Sequence, residues 1–83
     1  MLKLVFLGKF RDLAPDDLAQ DVPTSVGTLA ELMIWIAQRE PALGQALQAT
    51  RTQLALNQEL VRDWSGSLGG DDEVAFLPPM SGG

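Results

Sequence analysis

Short runs in which apolar side chains alternate with others lie near both ends of the chain and are typical of β-strands. Residues 2–7 are rich in strand-forming side chains, and residues 73–77 form a similar run that stops at two prolines, which cannot donate hydrogen bonds to a sheet. Residues 18–22 are a weaker strand candidate that ends at a proline. Between the strand candidates at residues 2–7 and 18–22, residues 9–13 are expected to form a brief helical turn.

The middle of the chain carries the pattern of an amphipathic helix. Thr28 and Glu31 have the spacing of a capping box, in which each side chain accepts a hydrogen bond from the other residue's backbone amide. Apolar residues then recur at three- and four-residue steps: Leu29, Leu32, Met33, Ile36 and Ala37. Pro41 disfavours a helical conformation at the residue before it, so we expect this helix to end near Glu40. A shorter helix is expected over residues 41–50, with the proline in its first turn.

A hairpin is predicted after the second helix. Residues 53–56 and 59–62 read as strands joined at Asn57 and Gln58, because asparagine tolerates the positive φ of a tight turn. The order of elements predicts an α+β fold, with a mixed sheet of about five strands packed on one main helix and a short helix. A β-grasp (ubiquitin-like) arrangement, with first and last strands paired in parallel, is one candidate. The predicted domain covers residues 1–79, and residues 80–83 form a tail.

The alternation of side chains predicts an apolar patch on the solvent side of the sheet. Lys3 and Glu73 mark the solvated faces of the first and last strands. If these strands are neighbours, the same faces also carry Val5, Leu7, Ala75 and Leu77, with Leu60 as a further candidate. Exposed apolar patches commonly mark partner surfaces. The alternative is that the short helix over residues 41–50 covers the patch.

Composition narrows the chemistry that the chain can perform. It contains no cysteine and no histidine, which leaves out disulfides, thiolate metal sites and the commonest general base. Eleven acidic against six basic residues give a net charge of −5, so neither nucleic acid nor an anionic membrane is an expected partner. Plain solubility is the preferred explanation of this charge, and a basic protein surface as partner is the alternative. No segment resembles a signal peptide or a membrane span, and we expect a cytoplasmic protein.

The last residues form the most informative motif. Pro78 and Pro79 impose an extended stem directly after a predicted strand, and the four residues that follow can reach up to about 14 Å. Gly82 and Gly83 have no Cβ and fit a channel too narrow for other side chains. A terminal glycine carboxylate becomes an acyl donor once a partner enzyme converts it to an acyl-adenylate with ATP and Mg²⁺. The alternative is a frayed terminus without function.

The chain resembles the small subunits of molybdopterin synthase. Residues 72–83 (DEVAFLPPMSGG) are similar to the family's C-terminus, residues 54–61 to its penultimate hairpin, and residues 2–13 to its N-terminal segment. Two positions depart from the family pattern. Asp71 stands where the family has glycine, with Gly70 one place early, and a changed turn is expected because aspartate can adopt a left-handed conformation. Met80 replaces a commoner β-branched residue.

The resemblance implies a β-grasp sulfur carrier with no cofactor and no catalytic side chain of its own. In that family a ubiquitin-activating-type adenylyltransferase uses ATP and Mg²⁺ to adenylate the terminal glycine, and a sulfur donor makes the thiocarboxylate. The large synthase subunit then receives the tail, and the sulfur passes to precursor Z (cyclic pyranopterin monophosphate) to form the molybdopterin dithiolene. Two small and two large subunits assemble together.

Carried onto this chain, the resemblance makes Gly83 the modified residue and Gly82 its neighbour in the channel. It places contacts with the large subunit at Leu7, Leu60, Leu77, Pro78, Pro79, Met80 and Ser81. Two alternatives stay open: a sulfur carrier for thiamine synthesis or tRNA thiolation, and a ubiquitin-like binding module whose tail has no function.

Overall fold

Four strands and two α-helices make up residues 1–79, the part of the chain that the computed structural model describes. Two short 3-10 helices, Gly8–Asp12 and Leu18–Asp21, lie between the first strand and the first α-helix. The remaining elements, in chain order, are β1 (Lys3–Phe6), α1 (Leu29–Arg39), α2 (Pro41–Ala49), β2 (Gln53–Leu56), β3 (Glu59–Val61) and β4 (Glu73–Leu77). The predicted strands at both ends, the hairpin and the two helices are therefore confirmed.

The sheet has the strand order β1-β4-β2-β3. β1 runs parallel to β4, with Val5 opposite Ala75, and β2 runs antiparallel to both β4 and β3. The parallel pairing of the first and last strands, with both α-helices on one side of a mixed sheet, confirms the predicted α+β fold of the β-grasp type.

The prediction of a strand over residues 18–22 is wrong, and within residues 1–79 the sheet has four strands instead of about five. This segment is instead a 3-10 helix whose backbone groups bond locally, as in the amide of Gln20 donating to the carbonyl of Asp17. Leu18 is buried, and Ala19 and Val22 are half-buried. A strand would turn the consecutive residues Leu18 and Ala19 to opposite faces, whereas here both are covered. The alanine and the aspartate of this segment, Ala19 and Asp21, have low strand propensity. β1 consequently lies at the edge of the sheet.

Helix α1 begins at a side-chain cap close to the predicted one. Thr28 Oγ1 accepts a hydrogen bond from the amide of Glu31 at 3.1 Å. The Glu31 carboxylate accepts from the amide of Gly27 at 2.8 Å, one residue before the position that a capping box would use. The helix ends at Arg39, and Pro41 starts α2 as predicted.

The two helices approach each other closely at Gly44. A Cβ on this residue would lie 2.5 Å from the Cα of Ala37 in α1, so only glycine permits this backbone separation. The contact lets both helices reach the inner side of the sheet. The core there consists of Phe10, Leu18, Leu29, Leu32, Ile36, Leu43, Leu47, Leu54, Leu68, Val74 and Phe76.

The turn between β2 and β3 is anchored to the start of β4. Asn57 and Gln58 both have positive φ, 51° and 72°, as a two-residue type I′ hairpin requires. The side chain of Asn57 donates to Asp72 at 3.1 Å and accepts from the amide of Glu73 at 2.9 Å. The predicted asparagine turn is confirmed.

The turn before β4 differs from the expected one, in which Asp71 would adopt the left-handed conformation. The residue in the left-handed conformation is Gly70, with φ of 61°, while Asp71 does not adopt a positive φ. The glycine that the sequence places one position early therefore supplies the left-handed turn itself.

None of the helices in residues 1–79 has the length and apolar character that crossing a bilayer demands.

Candidate functional site

The last strand delivers the chain to one end of the sheet while it is still held on both sides. The amide of Leu7 donates to the carbonyl of Phe76 at 3.1 Å, and Gln53 of β2 lies opposite Leu77. Pro78 and Pro79 follow at once, the first half-buried and the second exposed. We call this point, formed by Leu7, Leu77, Pro78 and Pro79, the chain exit.

Gly8 forms the support on which the stem begins. Its φ is +60°, and a Cβ built on it would lie 2.9 Å from Cγ of Pro78. The proline ring therefore packs against the bare α-carbon of this glycine. Sequence reasoning treated Gly8 only as the end of the first strand. A glycine directly after a strand was the available signal, but the contact depends on a strand pairing that lies far away in the chain.

An apolar row crosses the outer face of the sheet with one residue from each strand. The register places Val5 opposite Ala75, Ala75 opposite Ala55, and Ala55 opposite Leu60. Leu60 at the far edge is 64% exposed, whereas the two alanines in the central strands are largely covered. We call these four residues the outer row. Of the residues in the predicted solvent-side patch, Leu7 and Leu60 are exposed, and Val5, Ala75 and Leu77 are half-buried.

The outer row has a charged border on one side and the chain exit on the other. Lys3 and Glu73 are direct partners in the register and form an ion pair at 3.5 Å. On the opposite side of the row lie Leu7, 38% exposed, and Leu77. The apolar surface of the outer face therefore continues to the point where the chain leaves the sheet.

The alternative in which the short helix covers this patch is wrong. Helix α2 packs on α1, and its buried residues Leu43 and Leu47 belong to the core with Val74 and Phe76 of β4. These β4 residues point to the opposite face of the strand from Ala75. Helix α2 thus lies on the inner side of the sheet.

Asp71, a carboxyl group with a shifted pKa, lies away from the chain exit. The N-terminal ammonium of Met1 contacts Asp71 at 2.8 Å, and its hydrogen bond and charge lower the pKa of that carboxyl. Hydrogen bonds from Ser65 lower the pKa of Asp63. Asp71 precedes β4 and therefore lies at the opposite end of that strand from Pro78. Residues 1–79 contain no group of three or more acidic side chains placed to hold a metal ion.

The structure brings together some of the predicted contact residues and separates one. Leu7, Leu77, Pro78 and Pro79 meet at the chain exit. Leu60 lies on β3, which is separated from β4 by β2. Met80, Ser81, Gly82 and Gly83 lie outside the described residues. The predictions for these four residues therefore stay predictions.

Comparison with known proteins agrees with the fold and with the motif at the end of the chain. The model of the ThiS family matches residues 4–83. The molybdopterin synthase sulfur carrier subunit of Escherichia coli (strain K12) is 34% identical over 83 residues and is aligned along the whole of both chains. The proteins of the same name from Mycobacterium tuberculosis (strain ATCC 25618 / H37Rv) and Dictyostelium discoideum are 31% and 29% identical.

These two alignments cover 99% and 98% of this chain, and 96% and 94% of the respective relatives. The likeness therefore extends over the fold, the chain exit and the glycine motif together. The resemblance to the small subunits of molybdopterin synthase is confirmed, and the chain belongs to the ThiS family.

Proposed function

We propose that this chain is the sulfur-carrier subunit of a molybdopterin synthase, with Gly83 as the residue that carries the sulfur. The observation that carries the proposal is the chain exit, where a strand held on both sides passes into a two-proline stem that precedes the Gly82–Gly83 pair. Relatives of this name that match over nearly their whole length support it.

The chemistry requires a free carboxylate at Gly83 and enzymes that act on it. The carboxylate oxygen attacks the α-phosphorus of ATP on the adenylyltransferase, and pyrophosphate leaves. A sulfur donor, formally hydrosulfide, then adds to the acyl carbon, and AMP leaves to give the thiocarboxylate. Because AMP is a far better leaving group than oxide, activation makes an otherwise inert carboxylate reactive.

Sulfur delivery returns the carrier to its starting state. The thiocarboxylate sulfur bonds to a carbon of precursor Z as a carbon–oxygen bond at that carbon breaks, with the oxygen leaving on water or phosphate. Water then cleaves the acyl–sulfur bond. The sulfur stays on the precursor, and Gly83 is again a carboxylate. A dithiolene contains two sulfur atoms, so each molybdopterin consumes two charged carriers.

This chain supplies no catalytic side chain in the proposed reaction. The adenylyltransferase uses ATP and Mg²⁺, and the large subunit supplies the basic groups that the transfer needs.

The outer row and Leu7 with Leu77 form the surface that contacts the large subunit, in an assembly of two small and two large subunits. An apolar surface that continues to the chain exit supports this role, since one docking event would then also direct the tail. The cytoplasmic location expected from the sequence stays part of this proposal.

Removal of Gly83 tests the proposal directly. The chain is incubated with the adenylyltransferase, ATP, Mg²⁺ and a sulfur donor, and its intact mass is followed for replacement of one oxygen by sulfur. Addition of the large subunit and precursor Z then reports molybdopterin formation. We expect the deletion variant to lose both signals and to melt at the same temperature as the wild type.

Gly69→Ala is the matched control, because a Cβ at Gly69 meets no atom within 4 Å. It should retain both signals. Full molybdopterin formation by the deletion variant would refute the proposal. A wild-type chain that gains sulfur but does not convert precursor Z would assign the carrier to another pathway, such as thiamine synthesis or tRNA thiolation.

A further inference from the structure

We propose that Gly8 is a positioning residue for the sulfur-carrying tail, because its bare α-carbon seats the ring of Pro78 and thereby sets the direction in which the chain leaves the sheet. This inference rests on the proposed function. It assigns a role in sulfur transfer to the residue that begins the first 3-10 helix, two positions after β1 and far in sequence from the tail that it directs.

The contact between the two residues leaves no room for a side chain. A Cβ on Gly8 would lie 2.9 Å from Cγ, 3.7 Å from Cδ and 3.9 Å from Cβ of Pro78. The proline ring is closed onto its own backbone nitrogen, so it cannot rotate out of the way as a flexible side chain would. Any added Cβ must therefore displace the backbone of Pro78 or that of Gly8.

Gly8 is the less movable partner of the two. The preceding residue, Leu7, donates its amide to the carbonyl of Phe76 at 3.1 Å, and its own carbonyl accepts from the amide of Phe10 at 3.3 Å. Phe10 is fully buried in the core. A displacement forced at this contact is therefore transmitted to Pro78 and the stem.

A small change of direction at Pro78 matters because the reacting group is remote from it. The carboxylate of Gly83 is five residues further along, up to about 17 Å away in an extended chain. Group transfer requires reacting atoms to be held about 3–3.5 Å apart. A stem that leaves the sheet at another angle lowers the fraction of carriers whose tail is aimed into a partner's channel. The apparent affinity for the partner then falls in proportion to that fraction, while a tail that has entered the channel reacts as before.

The chain contains a matched control for the backbone conformation of Gly8. Gly70 has φ of 61°, practically the same as Gly8, but a Cβ on Gly70 meets no atom within 4 Å. The same substitution at either glycine therefore imposes the same left-handed strain. Only the substitution at Gly8 also forces Pro78 to move.

The experiment compares Gly8→Asn with Gly70→Asn, since asparagine tolerates the left-handed conformation and both variants should fold. The rate of thiocarboxylate formation and the rate of sulfur transfer are measured as functions of carrier concentration. For Gly8→Asn we expect KM for the carrier to rise about tenfold, as when a tenth of the stems keep their direction, with kcat little changed. Gly70→Asn should match the wild type in both constants.

A double-mutant cycle isolates the contact itself. Pro78→Ala removes Cγ and Cδ, the two ring atoms nearest to a Cβ at Gly8, and keeps only the Cβ, which would lie at an ordinary contact distance of 3.9 Å. Gly8→Ala should therefore raise KM in the wild-type background and have no such effect when alanine replaces Pro78. This comparison stays informative if Gly8→Ala destabilises the fold, because the measured quantity is the difference between its effect on KM with proline at position 78 and its effect with alanine there.

Two results would overturn the inference. One is a Gly8→Asn variant that folds and has the same KM as Gly70→Asn. The other is the absence, in the wild-type protein, of a nuclear Overhauser effect between the α-protons of Gly8 and the ring protons of Pro78. If the wild type gains no sulfur at all, the proposed function fails instead, and the Overhauser measurement still decides whether the contact exists.

Discussion

The two faces of the sheet use apolar residues from the same strands for different purposes. Leu54 and Leu60 belong to adjacent strands, yet the first is completely buried and the second is 64% exposed. Val74 and Ala75 are neighbours in one strand and point to opposite faces. Hydrophobicity alone therefore does not assign a residue to the core. Its position in the strand alternation makes that assignment. Residues that point inward stabilise the fold, and the residues next to them in the chain point outward, where they are available to a partner.

The largest expected effect comes from truncating the inner face. Leu54→Ala should lower the free energy of unfolding by about 2–5 kcal/mol, because it leaves a cavity under the helices. Leu60→Ala, the same chemical change on the outer face, should alter it by less than about 0.5 kcal/mol. Urea denaturation measures both values. Equal losses for the two variants would mean that the faces do not differ as described.

The next effect concerns the helix layer that covers the inner face. Gly44→Ala places a methyl group 2.5 Å from the Cα of Ala37, and we expect a loss of about 1–3 kcal/mol from the resulting separation of the helices. The higher helix propensity of alanine, about 1 kcal/mol, opposes this loss and does not cancel it. Gln45→Ala, at an exposed neighbouring position of α2, is the control and should not be destabilising. A gain in stability for Gly44→Ala would contradict the close approach of the helices.

A third substitution tests the outer face alone. Leu60→Gln should leave the melting temperature unchanged and weaken binding to the large synthase subunit about tenfold, as loss of a well-packed contact residue does. Ile34→Gln is the matched control, since Ile34 is 59% exposed on α1, away from the outer face. Titration calorimetry with the large subunit separates the two variants. Equal affinities would remove Leu60 from the proposed contact surface.

The smallest effect lies at the end of the sheet opposite the chain exit. The N-terminal ammonium lowers the pKa of Asp71 in the folded protein. The ion pair therefore stabilises the fold above the ordinary aspartate pKa of about 3.9, and this contribution is lost as the pH falls through the folded pKa. The wild type should exceed Asp71→Asn slightly in stability at about pH 6 and not at about pH 2. A difference that persists in acid would contradict this assignment, and sulfur transfer should not respond to the substitution.

Elements that depend on local chemistry were predictable from the sequence. The alternation around Lys3 and Glu73 gave the correct solvent side of β1 and β4, and the Asn57 turn has the positive φ that its residue type suggested. The prediction of a strand over residues 18–22 was wrong. Whether this segment forms a strand or a 3-10 turn depends on whether it pairs with β1 or packs Leu18 into the core, and neither is a local property.

Contacts between distant parts of the chain were not predictable in the same way. The seating of Pro78 on Gly8 requires β1 and β4 to pair in one particular register, and nothing near either residue specifies it. The closeness of Gly44 to Ala37 likewise depends on how two helices pack. For the candidate site, the sequence identified the stem and the apolar residues, while their grouping at one end of the sheet required the fold.

The place of β4 in the sheet has a consequence for how the protein is made. β4 is the last strand in the chain, yet it lies between β1 and β2 and contributes Val74 and Phe76 to the core. A ribosome that has not yet synthesised β4 holds a polypeptide whose earlier strands have no central partner, so folding must wait for it. We therefore expect a product truncated before β4 to stay unfolded and open to proteolysis, so that the protein reaches its native structure only when β4 has been synthesised.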